Sequence, residues 1–333
     1  MNSNAAPISG QGAGVGRSAR VALWVRPLGH KALPVLTVVV ALLALWYAAC
    51  IPMNAAQSVL AASRAGIAVS PESPRDRREM SGVALALANP GLAVTGAFEQ
   101  DRPRLPAPHQ VAVELWNTTA VVSPLSNRSL IYHGWVTMSA TLTGFVIGTV
   151  LGILLAVGIV HSRVMDMSVM PWAIVSQTVP IIAIAPMIIV VLYSVGVEGL
   201  LPKAVISAYL SFFPVVVGMV KGLRAPDAMQ LDLLRTYAAS RAGTFFKLRL
   251  PSSAPYLFAS LKIGIAASLV GAIVGELPTG AVAGLGARLL AGSYYGQTVQ
   301  IWAALFGAAI LAALAVGVIE LIERVVLRRM GRR

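Results

Sequence analysis

Charged residues are scarce in this 333-residue sequence, which is 12% Asp, Glu, Lys and Arg and 57% hydrophobic. Soluble globular domains carry roughly 25% charged residues. This shortage of charge excludes an ordinary soluble protein and predicts a polytopic membrane protein.

Cysteine and the sequence signatures of catalysis are also nearly absent. The single cysteine, Cys50, lies inside an apolar run and excludes both a disulfide framework within one chain and a cysteine-based metal site. The sequence contains no GxxxxGK[ST] phosphate loop, no HExxH and no GxSxG, and its histidines are scattered. We therefore expect no enzyme activity, no bound cofactor and no metal site in this chain.

Acidic residues are outnumbered by basic ones, and the formal net charge is +13. A basic excess can indicate a nucleic-acid partner, but here the basic residues flank hydrophobic runs. That distribution is the orientation signal of a membrane protein whose basic segments lie in the cytoplasm. We therefore predict that the protein lies in a lipid bilayer and binds no nucleic acid. Its basic cytoplasmic tails are predicted at residues 1–32 and 326–333.

The hydrophobic runs predict an all-α membrane protein with about six transmembrane helices, and the basic tails place both termini in the cytoplasm. The first span is predicted at residues 33–52, and it is expected to remain as an anchor. Residues 53–132 change to a proline-rich, charged composition and predict an extracytoplasmic insert, either a small cap or partly disordered. A core at residues 133–325 holds the remaining spans, at about 137–160, 170–193, 203–220, 255–277 and 299–321.

A few polar and small residues within these spans are candidates for function. Gln177 and Thr178 precede Pro180 in the third span, which predicts either a kinked helix or a wall of a translocation path. Glu276 lies near the outer end of the fifth span, where it either contacts solute or only orders the following loop. Glycines 144, 148 and 152 form a small face suited to helix packing or to a subunit interface. Lys262 is expected to extend to the membrane surface.

The long basic loop at residues 226–251 is patterned rather than a plain connector. Asp227 follows Pro226 and predicts a helix start. Pro251 is expected to end the helical loop before the next span. The segment predicts a docking site for a partner protein, with an ordinary basic cytoplasmic loop as the alternative. Its predicted apolar face consists of Leu231, Leu234, Ala238 and Ala242.

This loop resembles the "EAA" loop in permease subunits of ATP-binding-cassette importers, in which a Glu-Ala-Ala triplet precedes a glycine and a final hydrophobic-x-Leu-Pro. The spacing matches throughout, but the triplet is DLL and the glycine is alanine. Aspartate keeps the carboxylate and alanine keeps a small side chain, so we expect the docking geometry to be kept. The matching positions are Asp232, Leu233 and Leu234 at the triplet, Ala238 at the glycine, and Leu248, Leu250 and Pro251 at the ending, with Arg235 and Ser240 between them.

The resemblance extends over about residues 133–325. Within these permeases, the chain resembles most the branch that handles nitrate, sulfonates, taurine and pyrimidine precursors. Two stretches carry this narrower resemblance, SQTVPIIAIAP at 176–186 and GELPTGAVAGLG at 275–286. It implies a type I importer permease that pairs with a second copy or a related permease. It further implies a cytoplasmic ATPase subunit that binds ATP, an extracytoplasmic solute-binding protein and a location in a bacterial inner membrane.

We therefore predict the membrane-spanning permease of an importer for a small polar solute, with 226–251 coupling transport to the ATPase. The competing class is an ion-coupled secondary transporter acting alone. Such a carrier is expected to show inverted repeats and midplane charges, whereas the central spans are almost free of charge. A structural or signalling membrane protein is the third alternative, and it would transport nothing.

Overall fold

The computed structural model describes residues 17–278 and 281–331, with side chains from residue 33 onward, and every regular element within these ranges is helical. This confirms the predicted all-α class. The chain divides into two compact units, one ending at Gln100 and the other beginning at Asp101.

The first unit is built on one helix that is much longer than the predicted first span. Helix α1 runs from Arg17 to Arg64, and only its middle part coincides with residues 33–52. Its second half is covered by short helices, because Ala55 packs with Leu85 and Ala93 in one small core. These helices are α2 (Pro74–Glu79), α3 (Gly82–Ala88) and α4 (Pro90–Gly96).

The second unit contains ten helices and two π-helical turns among the described residues. It includes residues 101–132, so the segment predicted as one insert is divided between the two units. The helices are α5 (Pro108–Trp116), α6 (Leu130–His161), α7 (Arg163–Ser176), α8 (Ile181–Ser194), α9 (Leu200–Leu223), α10 (Ala228–Thr236), α11 (Arg241–Thr244), α12 (Leu250–Glu276), α13 (Leu285–Tyr294) and α14 (Thr298–Arg329); the π turns are Asn117–Val121 and Phe245–Arg249.

Helix α9 is the centre of this unit, between α6 and α12. Glycines let the backbones approach closely: a Cβ on Gly144 would come within 2.3 Å of the Ser207 Cβ. A Cβ on Gly271 of α12 would come within 2.7 Å of the Ser207 Cα from the other side. The small-residue face of α6 is therefore occupied by α9 of the same chain, which favours its packing role over a subunit interface.

Five described helices are long and apolar enough to cross a membrane, and the α7–α8 pair makes a sixth when taken as one broken span. The sequence predicts this third span as a kinked helix or as a wall of the translocation path, and the structure shows a sharp break at which α7 and α8 meet at 100°. Pro180 precedes the first residue of α8 and has extended backbone angles. A proline lacks the N–H needed to continue the helix of α7, and the chain turns there instead of bending gently.

Lys262 on α12, which was expected to extend to the membrane surface, forms an ion pair with a residue on α14. Its ammonium lies 2.8 Å from Glu323 Oε2 on α14, and both side chains are mostly buried. The sequence gives no signal for this pair, since the two residues are separated by 61 positions.

Candidate functional site

Glu276 is the last residue of α12, and its carboxylate is fully buried. The hydroxyl of Thr137 on α6 contacts both oxygens, at 2.9 Å and 3.1 Å. The Gly286 N–H donates to Oε2 at 2.7 Å. Burying a carboxylate is expensive unless it is paired and hydrogen-bonded. These contacts explain why the acid is tolerated here, and they join α12 to α6 and α13.

The first turn of α13 is held by side chains from other helices. The Gly284 N–H donates to His133 Nδ1 at 2.9 Å, and the Leu285 N–H donates to Thr137 Oγ1 at 2.8 Å. A helix start leaves its first N–H groups without intrahelical partners and favours negative charge. His133 Nε2 lies 2.9 Å from the Asn127 carbonyl oxygen, so Nε2 carries the proton while Nδ1 accepts. We call the set of His133, Thr137, Glu276 and Gly284–Gly286 the α13 clasp.

Two glycines make the clasp sterically possible. Gly284 has a φ of +127°, and a Cβ there would lie 2.2 Å from the Glu276 Cδ. A Cβ on Gly286 would lie 2.4 Å from the Ile273 carbonyl oxygen. Any larger residue would displace the carboxylate or the backbone of α12. The segment from Gly284 to Gly286 is therefore tightly packed against the end of α12.

Lys203 of α9 is the cation that pairs with Glu276 of the clasp. Its Nζ lies 4.0 Å from Glu276 Oε1, and only 9% of the residue is exposed. It lines a cavity of about 360 Å³ together with Tyr132, Tyr193 and the short segment 281–283.

Farther along α13, burial lowers the pKa of the Arg288 guanidinium, and the negative charge of Glu114 acts in the opposite direction.

The other predicted path residues lie away from Glu276. Gln177 and Pro180 flank the break between α7 and α8, and Thr178 donates back to the Val175 carbonyl at 2.8 Å. The break contacts α9 through the Tyr209 hydroxyl, which donates to the Ser176 carbonyl. Tyr209 is six residues beyond Lys203, about 9 Å along the helix. The structure therefore places these residues at a different depth along α9 from the clasp.

The predicted coupling loop forms two short helices, α10 and α11, joined by a tight turn. The Ala239 N–H donates to the Leu234 carbonyl at 3.0 Å, and the Ala238 N–H donates to the Arg235 carbonyl at 2.9 Å. Ala238 has a φ of +51°. This is the Schellman arrangement, which usually has glycine at the position with positive φ. This backbone conformation explains why the family loop that the segment resembles has glycine at this position. In this chain, alanine adopts the same conformation.

Other loop residues make local contacts. Asp232 forms an exposed ion pair with Arg235 at 2.8 Å, and the Ser240 hydroxyl accepts from the Gly243 N–H at 3.1 Å at the start of α11. Exposed pairs of this kind contribute little stability, so Asp232 is available at the surface. Leu248 and Leu250 are half-buried where the chain enters α12.

The exposed apolar face of α10 differs from the prediction. Met229, Leu233 and Tyr237, spaced by four, are exposed at 82%, 57% and 77%, whereas Leu231 and Leu234 are half-buried. The predicted face also extended the helical period to Ala238 and Ala242. That extension was wrong because α10 ends at Thr236 and the turn resets the period.

Pro251 does not end the loop helix. The helical segment is continuous from Arg241 to Glu276, through the π turn Phe245–Arg249. The Leu250 N–H donates to the Phe245 carbonyl, five residues back, and the wider turn accommodates the ring and the missing N–H of Pro251. The second part of the loop, from Arg241 onward, and the fifth span are thus one helical rod.

Three site residues were not singled out by the sequence analysis: His133, Thr137 and Lys203. Only Lys203 had a usable signal, because a lone lysine and a lone glutamate in otherwise apolar spans are candidates to pair in a membrane. His133 and Thr137 are ordinary polar residues in a helix, and only the packing of α6 against α13 gives them a role.

Comparison with known proteins identifies the family of this chain. Residues 148–332 match the family described as binding-protein-dependent transport system inner membrane component. Over 225 residues the chain is 29% identical to the formylaminopyrimidine transport permease protein ThiX of Halalkalibacterium halodurans, covering 67% of this chain and 84% of that protein.

Two further relatives come from other bacteria. The riboflavin transport system permease protein RibX of Chloroflexus aurantiacus is 29% identical over 224 residues, covering 67% of this chain and 80% of that protein. The putative aliphatic sulfonates transport permease protein SsuC of Bacillus subtilis is 24% identical over 185 residues, covering 56% and 65%. The family match covers more than half of the chain, and so this multi-pass membrane protein belongs to the binding-protein-dependent inner membrane components and is a permease of an ATP-binding-cassette importer.

Proposed function

We propose that the chain pairs with a second copy or a related permease to form the path for a small polar organic solute. A separate ATPase subunit binds the ATP and docks on α10 and α11, while a solute-binding protein delivers the solute at the other membrane surface. Transport follows alternating access and involves no covalent chemistry in this chain, which binds no cofactor.

The orientation follows from charge. The 226–251 loop and the end of α14 are basic. Arg224 lies just before the loop, Arg241 and Lys247 lie within it, and Arg328 and Arg329 end α14. Positive segments favour the cytoplasmic side. We therefore assign the coupling loop and both termini to the cytoplasm, and the α13 clasp to the outer side.

The single observation that carries the coupling proposal is the exposed apolar row of Met229, Leu233 and Tyr237 at the basic end of the second unit. Apolar side chains at this spacing suit a helix that lies in a partner's groove. The rod from Arg241 to Glu276 then connects the docking region directly to the α13 clasp. A movement imposed on α10 and α11 by the ATPase would reach the opposite membrane surface through this rod.

The solute class is supported by the relatives, whose names give formylaminopyrimidine, riboflavin and aliphatic sulfonates. All of these are small polar organic compounds. Gln177, Thr178 and Pro180, at the broken third span, and Glu276, in the clasp, remain the proposed path residues. An ion-coupled carrier acting alone is not favoured, since the family works with a binding protein.

Reconstitution tests this proposal. The chain, its co-purified ATPase and its binding protein are placed in proteoliposomes, and uptake of the solute held by the binding protein is measured with and without ATP. We expect uptake only with ATP and all components present. Uptake driven by a proton or sodium gradient, with this chain alone and no ATP, would overturn the proposal.

A further inference from the structure

The cavity beside the α13 clasp has the size and walls of a small-molecule site. Its volume is about 360 Å³, within the range of roughly 300–1,000 Å³ typical of ligand pockets. Tyr132 and Tyr193 contribute aromatic walls, and Ala283 and the exposed Val282 contribute an apolar rim. Lys203 is the charged residue among the described residues that line it.

The ammonium of Lys203 has capacity left for a ligand. It carries three donors, yet its recorded contact in the described chain is the ion pair with Glu276 at 4.0 Å, beyond hydrogen-bond distance. The Glu276 oxygens meanwhile accept from Thr137 and from the Gly286 N–H. The clasp therefore holds the carboxylate inside the protein while the buried ammonium borders the cavity.

We propose that this cavity is a solute-binding site in which Lys203 donates to the anionic oxygen of a small oxoanion, of the sulfonate or carboxylate class, flanked by Tyr132 and Tyr193. An oxoanion supplies the short, charge-assisted hydrogen bonds that a buried ammonium lacks. Because no acidic residue is among the described residues lining the cavity, an anion entering it meets the ammonium directly. This inference rests on the proposed transport function, and it adds the chemical class of the solute that binds.

The local potential can be measured with thiol reagents. In a Cys50→Ser background, Ala283→Cys places a reporter on the cavity wall, and Leu125→Cys, at an exposed position, serves as the reference. The probes are the anionic 2-sulfonatoethyl and the cationic 2-(trimethylammonium)ethyl methanethiosulfonates. The measured quantity is the anionic-to-cationic rate ratio at the reporter divided by the same ratio at the reference.

We expect Lys203→Met to lower this ratio by roughly tenfold, and Lys203→Arg to keep it. Lys203→Met combined with Glu276→Gln removes both charges of the pair, so its net charge equals that of the wild type. The double variant also avoids an unpaired buried carboxylate. A low ratio in this variant would show that the electrostatic potential in the cavity depends on the lysine itself. A wild-type ratio in the double variant would overturn the proposal and leave Lys203 as the counter-ion of Glu276 alone.

Ligand protection distinguishes this site from the transport function. Labelling of the Ala283→Cys reporter by the neutral methyl methanethiosulfonate is measured with methanesulfonate or with the isosteric neutral methanesulfonamide. We expect methanesulfonate alone to slow labelling, and only while Lys203 or an arginine is present; equal effects of the two compounds would contradict the proposal. This measurement needs neither ATP nor partners. Failed transport after reconstitution, with protection intact, would therefore reject the proposed transport function but not the binding site.

Discussion

Glu276 and Gly286 are joined by a 2.7 Å hydrogen bond from the glycine N–H to the carboxylate, across the loop that connects α12 to α13. The same carboxylate faces the Lys203 ammonium at 4.0 Å. One buried acid thus fixes a loop and balances a cation. Replacing it should therefore lower the stability of the protein, whatever its effect on transport.

A double-mutant cycle on Lys203 and Glu276 should reveal this coupling. Lys203→Met leaves a buried carboxylate uncompensated and Glu276→Gln leaves a buried ammonium, and breaking a buried pair on one side costs about 3–5 kcal/mol. We expect each single variant to lower the thermal unfolding midpoint in detergent, and the double variant to recover part of the loss. Additive effects of the two substitutions would mean that the residues do not interact.

The transport effect of Glu276→Gln depends on the solute. With an anionic solute we expect uptake to be nearly unchanged or mildly faster, because a carboxylate near the path disfavours an anion. With a neutral or cationic solute that contacts this residue, uptake should slow. The measurement is initial uptake rate per folded transporter. Abolished uptake of a strict anion by a well-folded Glu276→Gln variant would contradict this electrostatic expectation.

Gly284→Ala should destabilise the folded protein far more than the addition of one methyl group suggests. The new Cβ would overlap the Glu276 carboxyl group, and the positive φ would be strained in addition. We expect a large loss of folded protein in detergent by size-exclusion chromatography. The matched control is Gly317→Ala on α14, where a Cβ meets no atom within 4 Å and the yield should be kept.

Ala238→Gly should stabilise the turn between α10 and α11. A left-handed conformation costs an L-residue about 1–2 kcal/mol, and part of this is recovered with glycine. Hydrogen exchange at Ala239, whose N–H is bonded to the Leu234 carbonyl, should become slower. Ala239→Gly is the control, since Ala239 has no positive φ, and it should not stabilise.

Leu233→Glu should uncouple ATP hydrolysis from transport while the protein stays in the membrane. Leu233 is in the exposed apolar row, and an unpaired charge buried in a docking groove costs several kcal/mol. Gln230→Glu adds the same charge at an exposed polar position of α10 and is the control. Ala238→Glu tests the turn in the same way. Normal ATPase association and transport in Leu233→Glu would show that the partner does not dock on this row.

The topology predicts opposite accessibility for two single cysteines in the Cys50→Ser background. Ser73→Cys should react with a membrane-impermeant maleimide from outside intact cells, and Ser240→Cys should react only after permeabilisation. The long segment that contains Ser73 can be translocated despite its arginines. The reverse pattern would place the coupling loop outside and refute the proposed orientation.

The sequence by itself determined the class of this protein. Low charge and long apolar runs can only be accommodated by membrane-spanning helices, because the backbone must satisfy its own hydrogen bonds in lipid. The spacing from Asp232 to Pro251 was enough to identify the family, since a docking segment depends on local geometry. Glu276 was recognisable as unusual, because an isolated acid in an apolar span requires a partner.

The tertiary structure decided what these residues contact. The partners of Glu276 lie on three other elements, so no local pattern could name Thr137, Lys203 and Gly286 together. The face of α10 that is exposed depends on how the helix lies against the rest of the chain, and Leu233 is exposed whereas Leu234 is half-buried. The helix continues past Pro251 because a π turn precedes it. Periodicity and propensity act over a few residues, whereas these features are set by contacts between distant segments.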